Sequence, residues 1–152
     1  MFDTISGLPV HVLVVHAVVV LLPLMAVVTV AVAVRRGWRS AAPWVVLADA
    51  IVVGLAYAAK ESGEVLQERL GQFTPNVAED HGKHGELVPY FALALLVAAV
   101  LVWLTSRSAR LVPVAVAVAI LAGVASLWWI YLTGESGARA VWGDTVQNTK
   151  AP

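Results

Sequence analysis

Four runs of uncharged residues, each long enough to cross a bilayer, occupy most of this chain. Ile5 to Val34, Leu87 to Ser106 and Leu111 to Gly134 contain no Asp, Glu, Lys or Arg, and Ala41 to Ala59 contains only Asp49. A membrane helix needs roughly 20 mostly apolar residues. The runs therefore predict an all-α fold, a four-transmembrane-helix bundle in up-down-up-down order. The expected helices span about residues 8–35, 42–71, 75–105 and 110–133, with an outer C-terminal tail over 134–152. Charged residues make up 13% of the chain, against about 25% in a soluble domain. A water-soluble surface is hard to build from so few charges, and 152 residues suit one membrane domain. A net charge of +0 gives no footprint for nucleic acid. The absence of cysteine excludes disulfides, iron–sulfur ligation and thiol catalysis.

The first run is too long for the roughly 7–15-residue core of a signal peptide. Only Asp3 is charged before it, so it is expected to stay as a membrane helix. Charge then sets orientation. The first connection holds Arg35, Arg36 and Arg39, the third holds Arg107 and Arg110, and neither holds an acid. Short basic loops stay cytoplasmic. Every acid except Asp49 falls on the other side, with both termini. The expectation is a multi-pass membrane protein, N-out and C-out, with an acidic outer surface. Aromatic side chains favour membrane interfaces. Trp38, Trp44 and Trp103 fall near the inner level, and Tyr57, Tyr90, Trp128, Trp129, Tyr131 and Trp142 near the outer one.

The chain also hints at an internal repeat. The second helix leaves outward with Glu61-Ser62-Gly63 and the fourth with Glu135-Ser136-Gly137. The first and third helices each carry two histidines near their start. Two parallel-related helical hairpins would give this pattern. Small residues four apart, at Ala50 and Gly54, Ala94 and Ala98, and Ala122 and Ser126, mark places where helices could approach closely. Thr74-Pro75 reads as an N-cap followed by a first-turn proline. Lys60 and Glu64 stand one turn apart on a helix that runs past the membrane. Pro23 and Pro89 fall inside predicted membrane helices, where neighbours can satisfy the freed carbonyl.

Candidate chemistry gathers at the outer half. His11 and His16 are five residues apart, roughly 140° around a helix, and cannot share a face. His81 and His84 are three apart and do. An imidazole in an apolar span usually faces the bundle. One histidine from each pair, His16 with His84 or His81, could ligate a haem iron. Lys60, Arg69, Lys83 or Arg139 would then meet the propionates. Alternatively His11, His81 and His84 could bind Zn²⁺ or Cu²⁺, with Asp80 or Glu86. The plainest reading leaves the outer histidines as wet interfacial groups and has His16 bond a neighbouring helix. Asp49 suits a proton or ion path, though pairing with a snorkelling Arg35, Arg36 or Arg39 is the favoured expectation. Ser62 and Ser136 have no base nearby except a histidine on another helix, so hydrolase chemistry is disfavoured. Gly63 and Gly137 would let the chain turn, or let a group approach closely.

The segment Gly7 to Pro23, GLPVHVLVVHAVVVLLP, together with HGKHGE at 81–86 and TGESGARAVWG at 133–143, resembles a bacterial family of small four-helix membrane proteins of unknown function. Val12 and Ala17 stand where relatives often carry proline after the motif histidines, and Glu135 stands where they often carry histidine. Some relatives are joined to Rieske-type iron–sulfur domains, and the layout is similar to that of b-type cytochromes. The resemblance therefore implies electron transfer, with haem b as cofactor and an extracytoplasmic redox partner. The competing expectation is a non-redox component: an accessory subunit of a respiratory complex, or a metal- or proton-coupled transport element. A stand-alone enzyme is not expected. Association in the lipid bilayer as a homo-oligomer fits either reading.

Overall fold

The computed structural model describes residues 4–5, 8–70 and 76–149, with side chains over 10–68, 80–143 and at 149. A two-residue antiparallel pair comes first: β1 (Thr4–Ile5) against β2 (Leu8–Pro9), with Thr4 opposite Pro9. Four helices follow: α1 (Val10–Val34), α2 (Ala42–Leu70), α3 (Asn76–Thr105) and α4 (Val112–Asn148). All four are long and apolar enough to cross a membrane. A 3₁₀ turn, Arg36–Ala41, joins α1 to α2. The chain runs up-down-up-down, each helix packs on the next, and α4 closes back onto α1. α1 also meets α3 across the bundle.

The packing is that of a protein in lipid. Buried positions are mostly small, such as Ala26, Ala33, Ala98, Ala119 and Ala122, while large residues face outward: Val20 is 65% exposed, Leu104 69% and Leu121 70%. Lipid rewards no burial of leucine, so small residues go where backbones must approach. Of the small-residue pairs expected to do this, Ala122 and Ser126 are both buried, whereas Ala50 and Gly54 both face outward and only Ala98 of its pair is buried. Pro23 and Pro89 lie inside α1 and α3 as expected. The Thr74-Pro75 cap falls outside the described residues.

The fourth helix departs from expectation. It does not stop near residue 133 but continues to Asn148. The stretch carries three glycines, Gly134, Gly137 and Gly143, and glycine in a helix costs about 1 kcal/mol relative to alanine. Local contacts offset that. Arg139 donates to Glu135 one turn back, Nη2 to Oε1 at 2.6 Å, and Gly137 packs against a histidine of α3.

The repeat seen in the sequence is a repeat of the fold. One constant shift carries the buried positions Val18, Leu22, Met25, Thr29 and Val32 of α1 onto Val88, Ala92, Leu95, Ala99 and Val102 of α3. Another carries Val45, Asp49, Val52, Ala56 and Ala59 of α2 onto Ala119, Gly123, Ser126, Ile130 and Thr133 of α4, again all buried. The helices thus form two like hairpins, α1–α2 and α3–α4, related along the bundle axis.

Gly123 marks where α4 touches α1. A Cβ there would stand 2.7 Å from Val30 Cγ2 and 3.4 Å from the Ala26 carbonyl oxygen, whereas nothing lies within 4 Å of Gly54. Overpacking costs about 1–3 kcal/mol, and alanine returns about 1 kcal/mol of helix propensity. Gly123→Ala should therefore destabilise by about 1 kcal/mol, and Val30→Ala should reverse the loss. Gly54→Ala should be neutral or stabilising. Thermal unfolding in detergent reads all three.

Candidate functional site

At the end of the bundle that carries both termini, a histidine from each hairpin is tethered in the same way. His11 lies in the first turn of α1, half-buried against α2. Its Nδ1 is 2.9 Å from the Ala59 carbonyl oxygen and 3.4 Å from Ser62 Oγ. His81 of α3 repeats this on α4, with Nδ1 3.1 Å from the Thr133 carbonyl oxygen and 3.3 Å from Ser136 Oγ. A carbonyl carries no proton, so Nδ1–H is the donor in both. That tautomer leaves Nε2 with its lone pair. Among the described residues neither Nε2 has a hydrogen-bond partner.

Local sequence explains the tether. The serines turn their own protons back into their helices: Ser62 Oγ to Ala58 and Ala59 carbonyls at 2.7 and 3.1 Å, and Ser136 Oγ to the Thr133 carbonyl at 2.9 Å. Neither hydroxyl is thus activated by its histidine, which donates rather than accepts at Nδ1. The glycine after each serine makes room for the ring. A Cβ on Gly63 would stand 3.0 Å from His11 Cε1, and a Cβ on Gly137 3.0 Å from His81 Cε1. The group that approaches these glycines is the imidazole itself.

The other two histidines sit differently. His16 is exposed on the outer face of α1 and bonds the Val12 carbonyl of its own helix. His84 donates from Nδ1 to the Asp80 carbonyl at 2.8 Å, and its ring lies 5.5 Å from that of Trp129, tilted by 48°. The Trp129 indole donates to the His84 carbonyl at 3.0 Å and stacks on Phe91 with ring centroids 4.8 Å apart. The fold therefore does not bring His16 to His84 or His81 across the bundle, because His16 points away from it. Instead it sets His11 and His81 in equivalent places. Among the described residues no three of His, Asp and Glu gather as a metal would require, and Asp80 and Glu86 are exposed.

The expected propionate partners are engaged at the surface. Lys60 pairs with Glu64 at 2.8 Å, Lys83 with Asp80 at 3.8 Å and Arg139 with Glu135 at 2.6 Å. The Arg69 side chain lies outside those described.

Asp49 corrects a second expectation. It is 1% exposed, and its partner is no arginine. Thr29 of α1 donates to its Oδ2 at 3.0 Å, while Oδ1 has no partner among the described residues. The arginines are drawn elsewhere: Arg39 donates twice to the Ala33 carbonyl, at 3.2 and 3.0 Å, and Arg35 stacks on Trp38. The second hairpin carries Ala99 and Gly123 at the matching positions, so this polar pair belongs to one half alone.

Four apolar helices in two like hairpins, each tied at one end by a histidine-to-carbonyl bond, define an integral membrane bundle. The chain belongs to the DUF2231 family of predicted membrane proteins, whose family model matches residues 7–150. No curated protein and no solved structure matches it.

Leaving a buried acceptor without its donor costs about 1–3 kcal/mol, whereas replacing both partners by apolar groups is nearly neutral. Thr29→Val should therefore destabilise by about that amount. Adding Asp49→Leu to it should recover most of the loss. Unfolding midpoints of the two single variants and the double variant in one detergent close the cycle.

Proposed function

We propose that this protein binds a cofactor between His11 and His81, with b-type haem as the group and electron exchange at that end of the bundle as the role. The observation that supports this is the matched tether. Each Nδ1–H is held by a carbonyl, which fixes ring orientation and raises the basicity of the opposite nitrogen, the usual support for a metal-ligating histidine. Two neutral imidazoles are what a six-coordinate haem iron takes from a protein. A structural zinc takes four protein ligands. The donor set of two nitrogens, with no third ligating residue beside them among those described, fits haem better than a bare Zn²⁺ or Cu²⁺. This assignment replaces the expected His16–His84 pair by the symmetric one.

When bound, haem would supply one-electron chemistry. The residues of this chain would hold it. His11 and His81 would hold the iron through Nε2, Ala59 and Thr133 carbonyls would orient the rings, and Lys60, Lys83 or Arg139 would turn to the propionates. Those bases now sit in exposed ion pairs worth about 0–1 kcal/mol, so exchanging a partner costs little. The exposed acids Glu61, Glu64, Asp80 and Glu86 surround this end and suit a redox partner with a basic face.

Protein purified from cells supplied with haem should show the visible spectrum of a low-spin, six-coordinate haem. His11→Ala or His81→Ala should abolish that coordination, while His16→Ala and His84→Ala should keep it. Haem-free protein under those conditions, or indifference to His11→Ala and His81→Ala, would refute the assignment. Stoichiometric zinc or copper lost in the same two variants would move the site to a bare metal.

By the rule that short basic connections stay in the cytoplasm, this end would face out of a bacterial inner membrane. The chain has no cysteine, so single replacements report cleanly. In intact cells a membrane-impermeant maleimide should label Glu61→Cys and leave Ser40→Cys and Ser106→Cys untouched until the membrane is opened. The reverse pattern would invert the orientation.

A further inference from the structure

At the opposite end of the bundle, α1 and α4 leave an apolar groove of about 600 Å³ between them. Its walls are Ala26, Val27, Val30, Gly123, Val124 and Leu127, and Arg35 and Trp38 close one end. The volume lies within the range of about 300–1,000 Å³ typical of ligand pockets. The groove cannot be squeezed shut. At Gly123 the two helices already touch, for a Cβ there would meet Val30 Cγ2 at 2.7 Å.

Arg35 carries the argument. Its guanidinium carbon stands 4.5 Å from the centroid of the Trp38 ring. A guanidinium held over an aromatic ring still has N–H groups to offer, and guanidinium takes phosphate oxygens in pairs. Among the described residues Arg35 has no carboxylate partner, unlike Lys60 and Arg139. An unpaired cation thus sits at the mouth of an apolar slot, beside an interfacial tryptophan. That is the chemistry of one kind of occupant, with a hydrocarbon tail and an anionic head. Basic pockets between membrane helices on the cytoplasmic side bind such headgroups.

We infer that the α1–α4 groove is a binding site for an anionic phospholipid, with one acyl chain along Val30 and Gly123 and the phosphate on Arg35. The site is independent of the histidine pair, which lies at the other end.

Native mass spectrometry of the full chain in detergent, titrated with phosphatidylglycerol or phosphatidylcholine, tests this. One phosphatidylglycerol should be retained with about five-fold preference, the scale set by one basic residue near anionic lipid. Arg35→Gln should erase the preference and Arg35→Lys should keep most of it. Arg110→Gln, a basic residue of the same end that does not line the groove, should change nothing. Val124→Trp or Val27→Trp should fill the slot and lower retention of both lipids. Equal retention of the two lipids by the native chain, or a preference that survives Arg35→Gln, overturns the inference. So does a lipid-free dimer that Val124→Trp dissociates, since the groove would then hold a second copy.

Discussion

Hydrocarbon gives a bundle little hydrophobic incentive to close, so helix contact in lipid depends on close approach and on hydrogen bonds that cross from one helix to another. This structure uses both, in different places. Along the middle, alanines and glycines let the backbones meet, and Gly123 against Val30 is the tightest case. Near one end, His11 and His81 supply the crossing bonds, to Ala59 and Thr133. These bonds fasten the two helices of each hairpin where small residues give way to charged, hydrated surface. The close approach of glycine to imidazole lets α4 keep its course past Thr133, despite the glycines that would break a helix in water.

Where the hairpins diverge is informative because the backbone frame is shared. Asp49 and Thr29 occupy positions filled in the other half by Gly123 and Ala99. One half gains a polar lock in the membrane interior, and the other gains a place where α4 settles on α1. The aromatic ladder of His84, Trp129 and Phe91 has the reverse distribution, since Val14, Leu55 and Leu21 stand at the corresponding places of the first hairpin. The tethered histidines, by contrast, are kept in both. A feature retained in two halves that otherwise differ so freely is the natural place to look for a shared ligand, since the same bundle could be packed with alanine at both sites.

Much of this was legible from residue order. Run length made the four helices and their up-down order readable, and the two Glu-Ser-Gly segments with their distant histidines announced the repeat. The pairings were not readable. A carbonyl has no letter in the sequence, so nothing marked Ala59 and Thr133 as the acceptors. His16 drew attention because it stood deepest in an apolar run, yet depth along a helix says nothing about which way a side chain faces, and it faces out. Asp49 seemed to need an arginine, because charge suggests a charged partner. A threonine on the neighbouring helix was closer, and the arginines are held by a carbonyl and an indole. The end of α4 was hidden for a related reason: the uncharged run stops at Gly134, whereas the helix runs on to Asn148 with the His81 ring lying against Gly137.

The two ends of the molecule therefore present opposite chemistry built from the same elements. At one, imidazole nitrogens with free lone pairs lie among exposed acids, a setting for a cation or a metal-bearing group. At the other, arginines without acids border an apolar slot, a setting for an anion with a tail. Two hairpins related along the bundle axis point the same way, so a polarity built into one is repeated in the other. The polarity comes from the connections, since the α1–α2 and α3–α4 loops carry arginines and no acid, while the α2 and α4 extensions and the start of α3 carry the acids. Under the rule that short basic connections stay in the cytoplasm, such an axis favours one orientation in a charged bilayer. A lipid headgroup on Arg35 would strengthen the same orientation, holding the arginine end at the anionic leaflet while the histidine pair stays at the other.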